Sequence, residues 1–227
     1  MNFPPSDFLD LCQTAHPSLF AGLDNPWLVL PLIGRYLQEH LTPENNGTLQ
    51  GSAYVSDKVT IGKGTTIGNG ATINGPAWIG ENCEIRSGCF IRENVIVGDN
   101  VVLGNSCEFK NCIIFNAAQI PHFSYVGDSV VGYKAHLAAG VILSNMRLDQ
   151  KPVTVATPAG TIDTGLRKFG AVVGDFAEIG CNAVLSPGSI IGRRSLIYPG
   201  AQWRGYLAPD SIARLRQQLD VIPRSVR

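Results

Sequence analysis

The sequence has few charged residues and no excess of either sign. Lysine and arginine together number 18, aspartate and glutamate also number 18, and the four make up 16% of the 227 residues. This balance gives no reason to expect a nucleic acid or an acidic membrane surface as a partner. The longest apolar run, WLVLPLIG, is far too short to cross a bilayer. The N-terminus also lacks the basic and apolar regions of a signal peptide. We therefore expect a cytoplasmic protein.

Cysteine pairs with metal-binding spacing are missing as well. The six cysteines include no C-x-x-C pair, so we expect neither a zinc site nor any other bound metal. Their number fits buried thiols in a reducing compartment. Aromatic residues are 8% of the chain, whereas glycine occurs 25 times. That composition is poor in helix formers and suits a β protein with many turns.

What the sequence does contain is a repeat of six residues. From Val55 to Phe109 an aliphatic or aromatic residue occurs at every sixth position, and the pattern resumes at Ile114 and Val131 after two one-residue contractions. A period of six fits neither an amphipathic helix nor a simple strand. It resembles the hexapeptide repeat of the left-handed parallel β-helix, in which three hexads form a triangular coil and residues 18 apart stack. The fold class we predict is therefore mainly β, with about seven coils. The repeated positions are Val55, Ile61, Ile67, Ile73, Ile79, Ile85, Ile91, Val97, Leu103, Phe109, Ile114, Ile120, Val126, Val131, Leu137, Leu143, Val173, Ile179, Leu185, Ile191, Ile197 and Trp203.

The repeat predicts the domain organisation. Residues 1–50 contain helical segments interrupted by prolines and are expected to form an N-terminal cap. Residues 51–208 form the β-helix, with residues 144–170 ejected as a loop in which TPAGT makes a turn between two short strands. Residues 209–227 form a C-terminal helix, starting near Asp210 or Ser211, and a tail. We interpret both helical regions as covers for the ends of the coil stack, where strand edges are unpaired.

The repeat is broken at three places that carry chemistry. Arg92 and Lys110 replace the small residue that follows the apolar position, and they stand 18 apart, so two cations share one corner of adjacent coils. Like charges at that distance repel, and an anionic ligand would offset the repulsion, although solvated surface charge explains the spacing equally well. The ejected loop is the second break, since such loops commonly carry function. The third is the stretch IPHFSYVGDSVVG, which places Pro, His122, Ser and Tyr among the repeats.

Together these breaks resemble the acetyltransferase domain of the bifunctional enzymes that make UDP-N-acetylglucosamine, above all the archaeal-type sugar-1-phosphate nucleotidyltransferase/acetyltransferases. The strings that carry the resemblance are KNCIIFNAAQIPHFSYVGDS at 110–129, NMRLDQK at 145–151 and RKFGAVVGD at 167–175. The resemblance implies an N-acetyltransferase that uses acetyl-CoA to acetylate glucosamine 1-phosphate or galactosamine 1-phosphate, with its sites between the subunits of a homotrimer. The family's nucleotidyltransferase domain has no counterpart here, so uridylyl transfer is expected to be absent.

The resemblance also implies roles for individual residues. His122 becomes the general base, because only an unprotonated amine attacks a thioester and imidazole can take its proton near neutral pH. Glu108 would orient that histidine, and Asn145 would lie near the reacting thioester. His136 stands where bacterial members have an asparagine in the sugar pocket, and Cys181 where a serine is common among the coenzyme A contacts. The implied substrate-binding residues are Arg92, Lys110, Tyr125, His136 and Lys151, and the implied coenzyme A contacts are Ala139 and Cys181.

Two other functions stay open at this point. The chain could be an acyltransferase for another acceptor, such as a nucleotide sugar, which His136 and the unusual N-terminal region keep open. It could also be a non-catalytic β-helix that acts as an assembly or regulatory module. The presence of His122, Asn145 and Lys151 favours the enzyme.

Overall fold

The computed structural model describes residues 3–216 and 220–223. It is a parallel β-helix built from strands of two to four residues. The strands, in chain order, are β1 (Glu44–Asn45), β2 (Thr48–Leu49), β3 (Tyr54–Val55), β4 (Val59–Ile61), β5 (Thr66–Ile67), β6 (Thr72–Ile73), β7 (Ala77–Ile79), β8 (Glu84–Ile85), β9 (Phe90–Ile91), β10 (Val95–Val97), β11 (Val102–Asn105), β12 (Glu108–Lys110), β13 (Cys112–Ile114), β14 (Gln119–His122), β15 (Tyr125–Gly127), β16 (Val130–Val131), β17 (His136–Leu137), β18 (Ile142–Leu143), β19 (Thr154–Thr157), β20 (Gly160–Asp163), β21 (Ala171–Val173), β22 (Glu178–Ile179), β23 (Val184–Leu185), β24 (Ser189–Ile191), β25 (Leu196–Ile197), β26 (Gln202–Trp203), β27 (Tyr206–Leu207) and β28 (Ile212–Ala213).

The strands form three parallel faces of a triangular prism. Face A contains β1, β4, β7, β10, β13, β16, β21, β24 and β27; face B contains β2, β5, β8, β11, β14, β17, β22, β25 and β28; face C contains β3, β6, β9, β12, β15, β18, β23 and β26. The predicted hexapeptide-repeat β-helix is therefore confirmed, but with about nine turns rather than seven. The extra strands lie at the ends of the stack, where the residues of β1 and β2 are exposed and need not follow the apolar pattern.

The repeated apolar positions point into the prism, as predicted. All of them from Ile61 to Ile197 are buried, and those at the two ends, Val55 and Trp203, are partly buried. The strand register reproduces both contractions, since Val97 pairs with Ile114 and Ile114 with Val131, each 17 residues apart. Stacking of like residues along the axis thus builds one continuous core.

The helices of the N-terminal region do not cover the end of the stack, where we expected them as a cap. They lie along face A and bury their aromatic side chains against the outward residues of that face, such as Ile96 and Ile113. A row of apolar side chains on face A offers far more area than the rim of one coil, so it attracts this amphipathic segment. The helices are four 3₁₀ segments, Pro5–Asp7, Leu11–Gln13, Pro17–Phe20 and Pro26–Leu32, and one α-helix, α1 (Ile33–His40).

The ejected loop is also folded onto face A. Its strands β19 and β20 pair as an antiparallel hairpin, which confirms the predicted turn at TPAGT. Val153 and Val155 are fully buried in the same apolar cluster as the N-terminal segment. The loop therefore begins at the end of a strand of face C and packs against face A of the same chain.

The predicted C-terminal helix is wrong over the residues that the structure describes. Ile212–Ala213 form β28, which pairs with β25 and continues face B, and residues 214–216 are not helical. The hexad environment thus extends beyond 208 and overrides the helical pattern of that stretch. Residues 217–219 and 224–227, also part of that prediction, lie outside the described residues. In the described ranges, none of the helices has the length and hydropathy needed to cross a membrane.

Candidate functional site

His122 lies on the edge of the prism where face B ends and face C begins. Strands β11 and β14 extend two residues past their apolar positions, so that Asn105 pairs with His122. Gly104 permits this, because a Cβ at that position would collide with the backbone of Pro121. Phe123 turns the corner with φ of 52° and a side chain that is 60% exposed. The imidazole is consequently presented outward, towards solvent.

The predicted coenzyme A contacts lie along the same edge as His122. The N–H of Gly140 donates to the His122 carbonyl at 3.1 Å, and the N–H of Asn182 donates to the Ala139 carbonyl at 2.9 Å. These bonds stack His122, Ala139 and Cys181 in successive turns. The Cys181 thiol is exposed. An extended ligand that follows this edge would meet all three.

The two predicted cations also stack, on the outside of face C. Phe109 pairs with Ile91, which places Lys110 beside Arg92 in the next turn. Each is already paired with carboxylates of the same chain: Arg92 with Glu108 at 2.9 Å and Glu93 at 3.6 Å, and Lys110 with Asp128 at 3.7 Å. These pairs offset the repulsion between the cations. Their spacing alone therefore gives no support for an anionic ligand.

Within one chain, Glu108 is hydrogen-bonded to Arg92, whereas we expected it to orient His122. Its hydrogen bond in the described structure comes from Nη1 of Arg92. The reason is its place in the fold: Glu108 pairs with Tyr125 in the outward row of face C, whereas His122 belongs to the end of face B. The carboxylate thus faces the cations rather than the imidazole.

The root of the ejected loop joins face C through a hydrogen-bonded cluster. Nδ2 of Asn145 donates to Oη of Tyr125 at 3.2 Å and also to Oδ2 of Asp128. Nδ2 of Asn111 donates to the other Asp128 oxygen at 2.9 Å. Sequence reasoning missed Asp128 and Asn111. The sequence carries no signal for them, because the burial of Asp128 becomes visible only in the structure.

Asp128 is 4% exposed, although it carries a carboxylate, and it is the centre of this cluster. Burial raises the pKa of the Tyr125 phenol, and the nearby carboxylates of Asp128 and Glu108 raise it further. The hydrogen bond from Asn145 and the charge of Arg92 act in the opposite direction. Tyr125 therefore stays a neutral hydroxyl, able to donate a hydrogen bond, throughout the physiological pH range.

Two predicted substrate residues lie apart from this cluster. His136 stands in the outward row of face B, paired with Gln119 on one side and Glu178 on the other. Lys151 is exposed on the ejected loop, and its backbone N–H donates to Asp149 at 3.3 Å. Within one chain the structure brings together Arg92, Lys110, Tyr125 and Asn145 but leaves these two outside.

An open cleft lies beside the root of the loop. It has a volume of about 480 Å³ and is lined by residues of the loop and of the following turns, among them Ser144, Arg147, Ser186 and Arg204. None of the predicted ligand residues lines it. In the described ranges, no group of three or more histidine, cysteine, aspartate or glutamate side chains has a metal-binding arrangement.

Comparison with known proteins shows which proteins this chain is similar to. A family model described as the GMPPB C-terminal domain matches residues 73–164. A bifunctional protein GlmU of Methanococcus vannielii is 38% identical over 175 residues, which is 77% of this chain and 42% of that protein. A bifunctional sugar-1-phosphate nucleotidylyltransferase/acetyltransferase of Sulfurisphaera tokodaii is 42% identical over 96 residues, 42% of this chain and 24% of that protein.

A third relative is named an uncharacterized acetyltransferase, YaiX, in Escherichia coli O6:K15:H31; it is 38% identical over 112 residues, 49% of this chain and 48% of that protein. The matched region thus spans less than half the length of each of these three relatives. The resemblance predicted from the PHFSYVGDS, NMRLDQK and RKFGAVVGD strings is confirmed: the chain is a hexapeptide-repeat β-helix homologous to the acetyltransferase region of the bifunctional sugar-1-phosphate nucleotidyltransferase/acetyltransferases.

Proposed function

We propose that the protein is a cytoplasmic N-acetyltransferase that transfers the acetyl group of acetyl-CoA to the amine of an amino-sugar 1-phosphate, glucosamine 1-phosphate or galactosamine 1-phosphate. The observation that carries the proposal is the position of His122. It is exposed on the edge that it shares with Ala139 and Cys181, next to the face that holds Arg92, Lys110, Tyr125 and Asn145. In this proposal His122 is the proton acceptor, the edge guides an extended donor, and the polar side chains of the neighbouring face bind the acceptor.

The chemistry follows from these groups. The acceptor amine attacks the thioester carbonyl, so a C–N bond forms and the C–S bond breaks. His122 takes the proton that the amine loses, and this proton can pass to the departing thiolate to give free coenzyme A. Arg92 and Lys110 would bind the phosphate by exchanging part of their contact with Glu108 and Asp128 for the ligand.

We propose that the active unit is a homotrimer. Face A is covered by the chain's own N-terminal segment and hairpin, which leaves faces B and C, and the edge with His122, for contact with other copies. Lys151 and His136 lie outside the cluster on one chain and would reach acceptor sites only through a neighbour. Light scattering should give three times the mass of the chain; a monomer at micromolar concentration would refute the trimer.

Release of free thiol from acetyl-CoA tests the activity. The acceptor panel is glucosamine 1-phosphate, galactosamine 1-phosphate, unphosphorylated glucosamine and nucleotide-linked amino sugars. We expect release with one of the two 1-phosphates and much less with the unphosphorylated sugar. Release only with nucleotide-linked sugars would favour the acyltransferase with another acceptor.

A non-catalytic β-helix module is the second candidate, and one observation favours it. The carboxylate expected to orient His122 is bonded to Arg92 instead. A panel without thiol release, in a protein that is folded and oligomeric, would support this candidate and reject the acetyltransferase.

A further inference from the structure

Asp128 is placed to control the direction of hydrogen bonds around it. It is buried, its Oδ1 accepts from Asn111 and its Oδ2 accepts from Asn145, while Nζ of Lys110 lies 3.7 Å from Oδ2. An ionised carboxylate accepts hydrogen bonds and donates none. Every group that faces Asp128 must therefore turn a donor towards it.

This requirement decides the orientation of the Asn145 amide. The amide of an asparagine can be placed in two orientations, and the surrounding network selects one. With its carbonyl oxygen towards Asp128, two acceptors would face each other in a buried place. The NH₂ group must face Asp128 instead, and its second hydrogen is directed at Oη of Tyr125. The carbonyl oxygen of Asn145 is left to accept from another partner.

The same constraint passes to Tyr125. Its oxygen accepts from Asn145, so its own O–H hydrogen is not used in that bond. Tyr125 is then a donor towards whatever lies outside the cluster, and Asn145 is an acceptor. An amino-sugar phosphate matches this pair, since its phosphate oxygens accept and its amine donates.

We propose that Asp128 is a positioning residue that sets the polarity of the acceptor pocket, so that Tyr125 donates and Asn145 accepts. The expected change in KM rests on the proposed acetyl transfer. The expected changes in unfolding temperature and in the titration of Tyr125 concern the protein without substrate. The proposal predicts that the direction of the Asp128–Asn145 bond matters, and not only its presence.

An exchange of the two side chains tests the direction. In Asp128→Asn/Asn145→Asp the bond is kept but reversed, and the carboxylate now carried by the loop would accept from the Tyr125 hydroxyl, which is then no longer available to the ligand. Asn145→Asp alone puts two carboxylates against each other. We expect the double variant to unfold at a higher temperature than Asn145→Asp. Its KM for the phosphorylated acceptor should remain at least about tenfold above that of the wild type, the size of one lost hydrogen bond.

Titration of Tyr125 gives a readout that does not depend on activity. The absorbance change of the phenol is isolated by subtracting the titration of Tyr125→Phe. Asp128→Asn should lower the pKa of Tyr125, because it removes a nearby negative charge. The double variant should raise it above the wild-type value, because the phenol then donates to a carboxylate. Asp57→Asn, in an exposed turn, is the matched control and should leave KM, unfolding temperature and titration unchanged.

The outcomes separate the two proposals. A double variant with wild-type KM, or an Asp128→Asn variant whose Tyr125 titrates as in the wild type, would overturn the role of Asp128 while acetyl transfer stands. A wild type that acetylates no member of the panel would reject the proposed function. The role of Asp128 would then be tested by the Tyr125 titration alone, which should shift down in Asp128→Asn and up in the double variant.

Discussion

Faces A and C of the prism both direct apolar residues inward, but their outward residues differ in polarity. On face A the residue between two inward positions is apolar, as at Ile96, Ile113 and Ile190, and it is buried under the N-terminal segment and the hairpin. On face C the corresponding positions include Glu108 and Tyr125, which stay partly accessible. The repeat thus builds the prism, whereas the residues between the repeated positions decide which face is covered and which face stays accessible.

This difference assigns separate consequences to the two faces. Changes on face A should act on the free energy of unfolding and leave catalysis alone. Changes of exposed side chains on face C and its edge should act on kinetics and leave stability nearly unchanged, because these side chains contribute little to the core. The predictions below test that separation.

The largest effect is expected at the edge of face C. His122→Ala should lower kcat by about 10²–10⁴-fold at pH 7, the usual contribution of a general base. The loss should be smaller at high pH, where the amine of the acceptor is already unprotonated. The measurement is kcat against pH with acetyl-CoA and the amino-sugar 1-phosphate.

His40→Ala is the control for this variant, since His40 is exposed at the end of α1. A His122→Ala enzyme with wild-type kcat at pH 7 would remove His122 from the mechanism and favour the non-catalytic module.

The next effect concerns the cover of face A. Trp27 is 1% exposed and packs its ring 5.7 Å from that of Phe169. Trp27→Ala should reduce the free energy of unfolding by about 3–5 kcal/mol, as large-to-small changes in cores do, while kcat changes little. Denaturant unfolding, read by circular dichroism, measures the first quantity.

Leu32→Ala is the matched control, because Leu32 belongs to the same segment but is 41% exposed; we expect a change within about 0.5 kcal/mol. If Trp27→Ala reduced kcat as strongly as stability, the two faces would not be independent.

The inward residues of the fold could be predicted from the sequence, because each hexad meets the same environment in every turn. The position of the N-terminal segment could not, because its helical pattern indicates an apolar side without naming the surface that it covers. A signal for that surface was nevertheless present: the outward residues of face A are apolar at a spacing of 17 or 18 over several turns, as at Ile96, Ile113 and Val130.

The candidate site was predicted in composition but not in contacts. Two of the strings that carried the resemblance contain Tyr125 and Asn145, and the structure does bring these residues together. The sequence did not predict that Glu108 is hydrogen-bonded to Arg92 rather than to His122, because the partner depends on which row of side chains each residue occupies. Asp128 was missed because nothing in the repeat distinguishes a buried carboxylate from one in a turn.

A moderate effect is expected from the cations of face C. Arg92→Ala and Lys110→Ala should each raise KM for the phosphorylated acceptor by an amount equal to about 1.5–3 kcal/mol, the range for a charge-assisted hydrogen bond. For Arg92→Ala the free energy of unfolding should fall by less than about 1 kcal/mol, since the side chains of Arg92 and Glu108 are 35% and 37% exposed. Steady-state kinetics and denaturant unfolding measure the two quantities.

Lys58→Ala, an exposed lysine in the turn before β4, serves as the control. Should Arg92→Ala and Lys110→Ala both retain the wild-type KM, the pair is solvated surface charge and face C does not bind a phosphate.

The smallest effect is a pH dependence on face A. His16 in the N-terminal segment is buried against Trp78 of face A and bonded through Nδ1 to Oη of Tyr36 at 3.0 Å. Burial lowers its pKa to about 4, the charge of His40 lowers it as well, and Asp99 opposes the shift. Because the folded pKa lies below that of the unfolded chain, the unfolded state binds more protons between about pH 4 and 6.5. Stability is therefore present above that window and is lost as the pH falls through it.

From pH 7 to pH 5 this histidine should reduce the free energy of unfolding by roughly 2 kcal/mol. His16→Gln keeps a polar partner for Tyr36 and does not titrate, so its stability should fall less over the same interval. Burial raises the pKa of Asp175, which gives a contribution of the opposite sign, but both proteins share it. The difference between their slopes therefore isolates His16. If the free energy of unfolding of wild type and His16→Gln changed equally with pH, the pKa of His16 would not differ between the folded and unfolded states. The N-terminal segment would then cover His16 less tightly than its packing indicates.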